Sequence, residues 1–320
     1  MTDDSPSLPL AGPTGAAFGP TSRDASGTPY RPFRFFARDG VVLAGRDYAP
    51  SRPTDRRPVV CLPGLTRNSR DFEPAVARLT AGTGGSPARR CVTFDFRGRG
   101  ASERSHPSLY TPLQELDDTR LGLAALGIET ITAFGTSRGG IVTMLAGLVA
   151  PGLVATAVLN DIGAVIELAG LLRIKGYVGR SLPEGIDWPT LITVVSQANR
   201  DEFPRLDAVA WERHARRLFR DVEGRPAMDY DPEIARTLDA VTAETPMPDL
   251  WAAFDTLTEI PILSVRGALS DLLTEETVAA MAARAPRLET LIVADQGHAP
   301  LFDDDLSLDG LVAFLDRVGA

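Results

Sequence analysis

The chain has 320 residues, with 33 Lys plus Arg against 42 Asp plus Glu and a formal charge of −9 at pH 7, the wrong sign for a surface that grips nucleic-acid phosphates. Hydrophobic residues make up 44% and charged residues 23%, which excludes a disordered or fibrous chain and leaves one large domain or two modest ones. Two cysteines make neither a disulfide framework nor the paired ligands of a zinc site, so a reducing compartment and no structural metal are expected.

Residues 1 to 9 carry Asp3 and Asp4 but no basic start and no apolar run, so no secretory signal is expected. Residues 1–29, dense in Pro, Gly, Ser and Thr, read as a flexible leader that buries too little surface to offset its chain entropy. Phe33 to Phe36 and Val41 to Ala44 then flank Arg38-Asp39-Gly40 as an edge hairpin. Short apolar runs alternate with helical patterns from Pro58 onward, which predicts a parallel sheet with helices on both faces. Gly139 to Asn160 is uncharged and long enough to span a membrane, but Pro151-Gly152 divides it into a buried helix and a buried strand.

The alternation stops after Gly163 and resumes at Pro261. The fold class expected is therefore α/β, with a mostly parallel eight-stranded sheet and a helical cap inserted after the sixth strand. The core is assigned to 30–163 and 259–320 and the cap to 164–258. The cap holds Trp188, Trp211 and Trp251, and an amphipathic stretch from Ala210 to Phe219. Arg213, Arg216, Arg217 and Arg220 on that stretch read as a solvated face balanced by Glu212 and Asp221.

Thr130 to Phe134 runs directly into Gly135-Thr136-Ser137-Arg138-Gly139, a G-x-S-x-G turn between strand and helix that lifts a serine clear of the sheet and makes Ser137 the candidate nucleophile. A serine needs a base and an acid behind the base. Of the three histidines, His298 follows the last strand and is the expected base; His106 is a pocket candidate and His214 reads as a surface residue. Asp271, after the preceding strand, is the expected acid in the chain order Ser, Asp, His, and Asp161, after the strand that follows Ser137, is the alternative acid or a pocket residue. The amides of Leu65, in Pro63-Gly64-Leu65, and of Arg138 are the expected oxyanion donors.

Leu62 to Leu65, Asp95-Phe96-Arg97-Gly98-Arg99-Gly100-Ala101-Ser102, the Ser137 turn, Ser270-Asp271 and Gly297-His298, in this order, resemble the motifs of the α/β-hydrolase superfamily from about Phe33 to the C-terminus. The closest likeness is to capped single-domain serine hydrolases with esterase, lactonase and carbon–carbon hydrolase relatives. The resemblance implies that Asp95 and Arg97 shape a loop behind the site. Two departures stand out: Pro63-Gly64 replaces the His-Gly of many relatives, and Arg138 replaces Met, Leu or Gln. The Arg138 side chain is expected to pair with Asp161 or Glu167 rather than meet an anionic substrate.

The function expected is cofactor-independent hydrolysis of a small, largely apolar carboxylic ester or lactone through an acyl-enzyme, with neither cofactor nor metal. The same triad also serves a carbon–carbon hydrolase of a diketo acid, for which Arg138 and Arg173 are carboxylate candidates, and an aminopeptidase, for which Glu167 and Glu184 are candidates. A non-catalytic ligand-binding module is the alternative from another class. The expected partner is a small-molecule substrate, with no nucleic acid and no membrane; a homodimer is left open, and a cytoplasmic location is expected.

Overall fold

The computed structural model describes residues 15–82, 84–246 and 249–320. Its sheet is built on β1 (Pro29–Phe36), β2 (Val42–Tyr48), β3 (Val59–Leu62), β4 (Cys91–Asp95), β5 (Ile131–Thr136), β6 (Val154–Asn160), β7 (Ile262–Gly267) and β8 (Leu288–Val293). These lie in the order β1-β2-β4-β3-β5-β6-β7-β8. β2 pairs antiparallel with β1 and β4, and all later pairs are parallel.

The central strands are buried from end to end, as strands covered on both faces must be. Side chains two apart share a face: Val60 and Leu62 of β3 join one apolar cluster, and Val59 and Cys61 join the other. Helices α1 (Glu73–Ala81), α2 (Pro112–Ala125) and α3 (Arg138–Val149) precede the cap, and α4 (Leu168–Tyr177), α5 (Trp188–Asn199), α6 (Ala208–Leu218) and α7 (Trp251–Asp255) belong to it. α8 (Glu275–Arg284) and α9 (Asp305–Arg317) follow. Several start on a polar cap: Thr111, Asp187, Asp207 and Asp304 each accept a backbone N–H of the first turn.

The eight strands and the cap after β6 agree with the sequence reading, and Gly139 to Asn160 divides into α3 and β6. Among the described residues no helix is long and apolar enough to cross a membrane. Cys61 and Cys91 are buried and free; the register sets Cys91 beside Val59 and Cys61 beside Thr93.

Two expectations are corrected. Within residues 1–29, read as a flexible leader, 1–14 lie outside the described residues. Ala17–Phe18 and Ser22–Arg23, however, pair antiparallel with β1. Phe18 packs on Phe33 at 6.2 Å between ring centroids, and the Arg31 guanidinium lies over the Phe18 ring, 4.2 Å from its centre. Buried Ala17 adds to this packing, and Asp24 accepts the Ser26 and Thr28 amides in the turn that leads to β1.

The second correction concerns two residues of α6: Arg213 and Arg216, and Arg220 just beyond it, are exposed as expected, but His214 and Arg217 are not. His214 and Arg217 are buried, because α6 is the centre of the cap's own core with Trp188, Leu191, Phe203 and Trp211. His214 stands 5.9 Å from both the Phe203 and Trp211 rings. Arg217 turns toward Asp303 at 3.6 Å, whereas Arg216 stays exposed on Glu212. Asp221 accepts the Trp188 indole N–H at 2.7 Å instead of balancing a cation. Asp221 also belongs to a small hairpin, Phe219–Val222 with Arg225–Met228, that the charge-rich sequence concealed. Its turn, Glu223-Gly224, has positive φ at both positions, the geometry that matches strand twist in a tight hairpin.

Burial, reinforced by the Arg67 and Arg217 charges, holds the His214 imidazole well below the ordinary histidine range. The unfolded chain takes up this proton near pH 6.5, while the folded chain does not. Stability is therefore unaffected by this group above pH 6.5 and falls below it, by at most about 1.4 kcal/mol per pH unit. His214→Phe is expected to flatten the decline of Tm between about pH 6.5 and 5; parallel Tm–pH curves for variant and wild type would remove this assignment.

Candidate active site

The strand β5 ends in Thr136, and Ser137 follows with φ 50° and ψ −111° before α3 begins. This left-handed conformation costs a β-carbon-bearing residue about 1–3 kcal/mol, so it persists only where its surroundings fix it. The Ser137 N–H donates to the Asn160 carbonyl at the end of β6, 2.9 Å away. The glycine at 139 is required by crowding, since a β-carbon there would run into the Leu62 carbonyl. The close approach of α3 to β3 brings the loop after β3 against the serine: a methyl added at Gly64 would touch Ser137 Cβ at 3.9 Å.

His298 Nε2 lies 2.9 Å from Ser137 Oγ, and Nδ1 lies 2.7 Å from Asp161 Oδ2. Asp161 is fully buried. Its carboxylate is held by the Gly267 N–H at 2.8 Å and the Ser270 hydroxyl at 2.6 Å besides the imidazole. Because the carboxylate only accepts, the network places the imidazole proton on Nδ1 and leaves Nε2 to accept from the serine hydroxyl. The amide N–H groups of Leu65 and Arg138 have no hydrogen-bond partner among the described residues.

The acid beside the histidine is thus Asp161 and not the expected Asp271. Asn160 is in register with Thr136 on one side and Val265 on the other, so the next residue, Asp161, stands one step past the strand ends and adjacent to Ser137. Its φ of 55° turns the side chain into that gap. The loop carrying Asp271 instead folds back after β7, with the Ser270 N–H on the Gly267 carbonyl. That turn delivers Ser270 to Asp161 and directs Asp271 to the cap, where Arg173 of α4 grips both its oxygens at 2.6 and 2.8 Å. Burial alone would raise the Asp271 pKa, but the Arg173 hydrogen bonds and charge outweigh it and keep the carboxyl below its ordinary range.

Other candidates are redistributed as well. His106 is exposed and caps a short turn through Ser108, 2.8 Å from Nδ1, so it does not line the site. The Arg138 side chain pairs with Glu115 of α2 at 2.6 Å, neither with Asp161 nor with Glu167, because α2 packs directly on α3. Arg173, bound to Asp271, also pairs with Glu202 at 2.9 Å. Glu202 packs against Gly297, so the cap wall beside His298 carries charge as well as the apolar residues expected there. Asp95 and Arg97 hold the loop behind the site: Asp95 accepts the Ser69 and Ala101 amides, and Arg97 grips Asp118 with both ends of its fork. Sequence reasoning missed Glu115 and Ser270. The signal for Ser270 was its place in Ser270-Asp271; Glu115 offered none beyond being an acidic residue in the first turn of a helix.

This fold and site define an α/β hydrolase. Residues 59–307 match the model of the alpha/beta hydrolase family, and the chain belongs to it. Among characterised relatives it is similar to a 3-hydroxybutyrate-oligomer hydrolase of Cupriavidus necator, 34% identical over 268 residues, which is 79% of this chain and 86% of the relative. A crystal structure of an alpha/beta hydrolase from Novosphingobium aromaticivorans matches with a TM-score of 0.81 and 38% identity, covering 90% of this chain and 99% of that one. The structure of E-2-(acetamidomethylene)succinate hydrolase shares the fold, at a TM-score of 0.71 and 22% identity over 90% of this chain and 99% of the other.

The choice of acid is open to direct observation without a substrate. A proton shared between His298 Nδ1 and a buried carboxylate gives a far-downfield resonance in a proton NMR spectrum. That resonance is expected to vanish in Asp161→Asn and to persist in Asp271→Asn. Loss in Asp271→Asn alone would return the acid to the loop after β7.

Proposed function

We propose that the protein is a serine hydrolase that cleaves small carboxylic esters through an acyl-enzyme. The observation that carries this reading is the unbroken relay from Ser137 Oγ through His298 to Asp161, at 2.9 and 2.7 Å, with the Leu65 and Arg138 amides left without a partner among the described residues.

In this scheme His298 Nε2 takes the hydroxyl proton as Ser137 Oγ bonds to the carbonyl carbon, and the carbonyl oxygen becomes an oxyanion accepted by the Leu65 and Arg138 amides. Asp161 keeps the Nδ1 proton and stabilises the imidazolium. Collapse of the tetrahedral species breaks the carbon–oxygen bond of the ester, and His298 hands its proton to the departing alkoxide. Water then adds to the acyl-enzyme with His298 as base, and the second collapse releases the acid and restores the Ser137 hydroxyl. Each step uses only side chains, backbone amides and water.

For the substrate, the resemblance to a 3-hydroxybutyrate-oligomer hydrolase and the polar wall of Arg173, Asp271 and Glu202 beside His298 both favour a short ester bearing hydroxyl groups. A lactone of similar size presents the same carbonyl chemistry. The carboxylate candidates of a diketo-acid hydrolase are already paired, Arg138 with Glu115 and Arg173 with Asp271 and Glu202, and of the aminopeptidase candidates Glu184 is exposed while Glu167 is half-buried at the start of α4.

Intact-mass spectrometry after a fluorophosphonate probe tests the nucleophile. One adduct is expected on wild type and none on Ser137→Ala. Ester hydrolysis, followed with p-nitrophenyl butyrate and with 3-hydroxybutyrate trimer, should fall at least about 10⁴-fold in Ser137→Ala and about 10³- to 10⁴-fold in Asp161→Asn. Asp271→Asn should remain within about tenfold, as expected of a residue outside the relay. A folded wild-type protein with neither adduct nor hydrolysis would overturn the proposal.

A further inference from the structure

The two expected oxyanion donors, Leu65 and Arg138, lie on different elements: one in the loop after β3, the other at the first turn of α3. A tetrahedral oxyanion is stabilised only if both amides point at one spot within a few tenths of an ångström, and a loop has little means of holding that aim by itself. One group of side chains bonds to both donor residues. Arg99 Nε donates to the Leu65 carbonyl at 2.8 Å, and Arg99 Nη2 approaches Glu115 Oε1 at 3.0 Å. The other carboxylate oxygen, Glu115 Oε2, accepts from Arg138 Nε at 2.6 Å. The ends are anchored in turn: Arg99 Nη1 donates to the Arg97 carbonyl at 2.7 Å, and Arg138 Nη2 donates to the Tyr110 carbonyl at 2.8 Å.

From this arrangement we infer that the Arg99, Glu115, Arg138 chain is the device that positions the oxyanion hole, with Glu115 as its keystone. The inference rests on the serine-hydrolase reading above. Glu115 and the Arg99 side chain are fully buried and Arg138 nearly so. An ion chain of this kind seldom stabilises a fold more than apolar residues of the same volume, because desolvation offsets most of its attraction. Its geometric yield is larger. A carboxylate with an arginine on each oxygen fixes the separation of those arginines, and each arginine is bonded to, or belongs to, a donor residue. The chain also carries two cations to one anion. The net positive charge sits behind the amides in a water-excluded place, where it favours the negative charge that develops on the carbonyl oxygen. None of the three touches the reacting atoms through its side chain, so they are positioning residues.

Glu115→Gln separates positioning from mere support of the fold. The amide keeps the shape but offers one acceptor, and its NH₂ faces the other arginine's donors, so the bridge opens on one side. The matched control is Glu73→Gln, which breaks an equally short buried pair, Arg46 with Glu73 at 2.8 Å, that bonds to neither donor residue. Both variants are expected to lose Tm. With p-nitrophenyl butyrate, Glu115→Gln should lower kcat about 10- to 100-fold with KM within about threefold, short of the loss of a whole oxyanion donor. Its affinity for phenylboronic acid, which forms a tetrahedral adduct on the serine, should weaken by a similar factor. Glu73→Gln should keep kcat within about twofold.

Wild-type kcat in folded Glu115→Gln, or equal kcat losses in both variants, would overturn the inference. If Glu115→Gln does not fold, Arg99→Lys supplies the same test, because an ammonium reaches either the Leu65 carbonyl or Glu115 but lacks the fork to hold both. The same kcat loss with KM unchanged is expected, and full kcat overturns the inference. Failure of the functional reading is told apart by the wild type, which would then show neither turnover nor a fluorophosphonate adduct.

Discussion

The carboxylate of Asp161 is the constraint on which the arrangement of the site turns. A fully buried carboxylate without donors would cost several kcal/mol, and Asp161 meets that demand from three directions: the end of β7 through the Gly267 N–H, the following turn through the Ser270 hydroxyl, and the loop after β8 through His298. Satisfying one buried anion therefore ties two further chain segments, the end of β7 with its turn and the loop after β8, to the end of β6. The neighbouring Asn160 extends the same logic. Its carbonyl accepts the Ser137 amide and its side chain reaches Thr136 and the Pro300 carbonyl, so the serine turn and the histidine loop are tied to the last residue of β6 and the one after it.

What the sequence revealed and what it hid follow from the range of the forces involved. The serine turn was legible because its demands are local: glycine at 139 avoids the Leu62 carbonyl, and apolar strand, tight turn and helix follow within a dozen residues. His298 was legible for the same reason, as the histidine in the loop after the final strand. The acid was not, because two aspartates stand after neighbouring strands and the choice between them is made by side chains far away in sequence. Arg173, 98 residues earlier, captures Asp271, and Ser270, 109 residues later, caps Asp161. His214 and Arg217 misled in a related way. Charged spacing on a helix reads as solvated, and Arg213 and Arg216 of α6 are exposed, yet His214 and Arg217 fall on the face that packs with the cap's own aromatic residues, where their polar side chains disguised an inward position. The edge segment around Phe18 was hidden by composition, since a single aromatic residue in a Pro- and Gly-rich stretch carries little weight in an average.

The cap is joined to the core on both flanks of Ser137, and the two joints differ in character. On the side of the oxyanion loop, Asp229 accepts from Asn68 and Arg70, and Arg70 also reaches the Arg217 and Phe219 carbonyls. On the side of the histidine loop, Arg173 joins Asp271 and Glu202. Asp229 is almost wholly buried, whereas Arg173 and Asp271 each keep about a third of their side-chain surface in water. Screening weakens an ion pair as its exposure rises. The joint beside His298 is thus the softer of the two, and the cap's attachment beside the oxyanion loop the firmer.

That asymmetry agrees with what each flank has to do. In the proposed scheme the Leu65 and Arg138 amides need a fixed aim, and Arg99 and Arg138 beside them donate to the Leu65, Arg97 and Tyr110 carbonyls and to Glu115. In the same scheme the histidine side accepts a proton, releases it to a leaving group and then admits water, which calls for a wall that tolerates small displacements. Apolar packing alone would hold both flanks with comparable stiffness, because dispersion contacts have little preferred direction. Directional charge pairs do not have that limitation. By burying one set more deeply and leaving the other about a third in solvent, the same type of interaction holds one flank of the serine more firmly than the other.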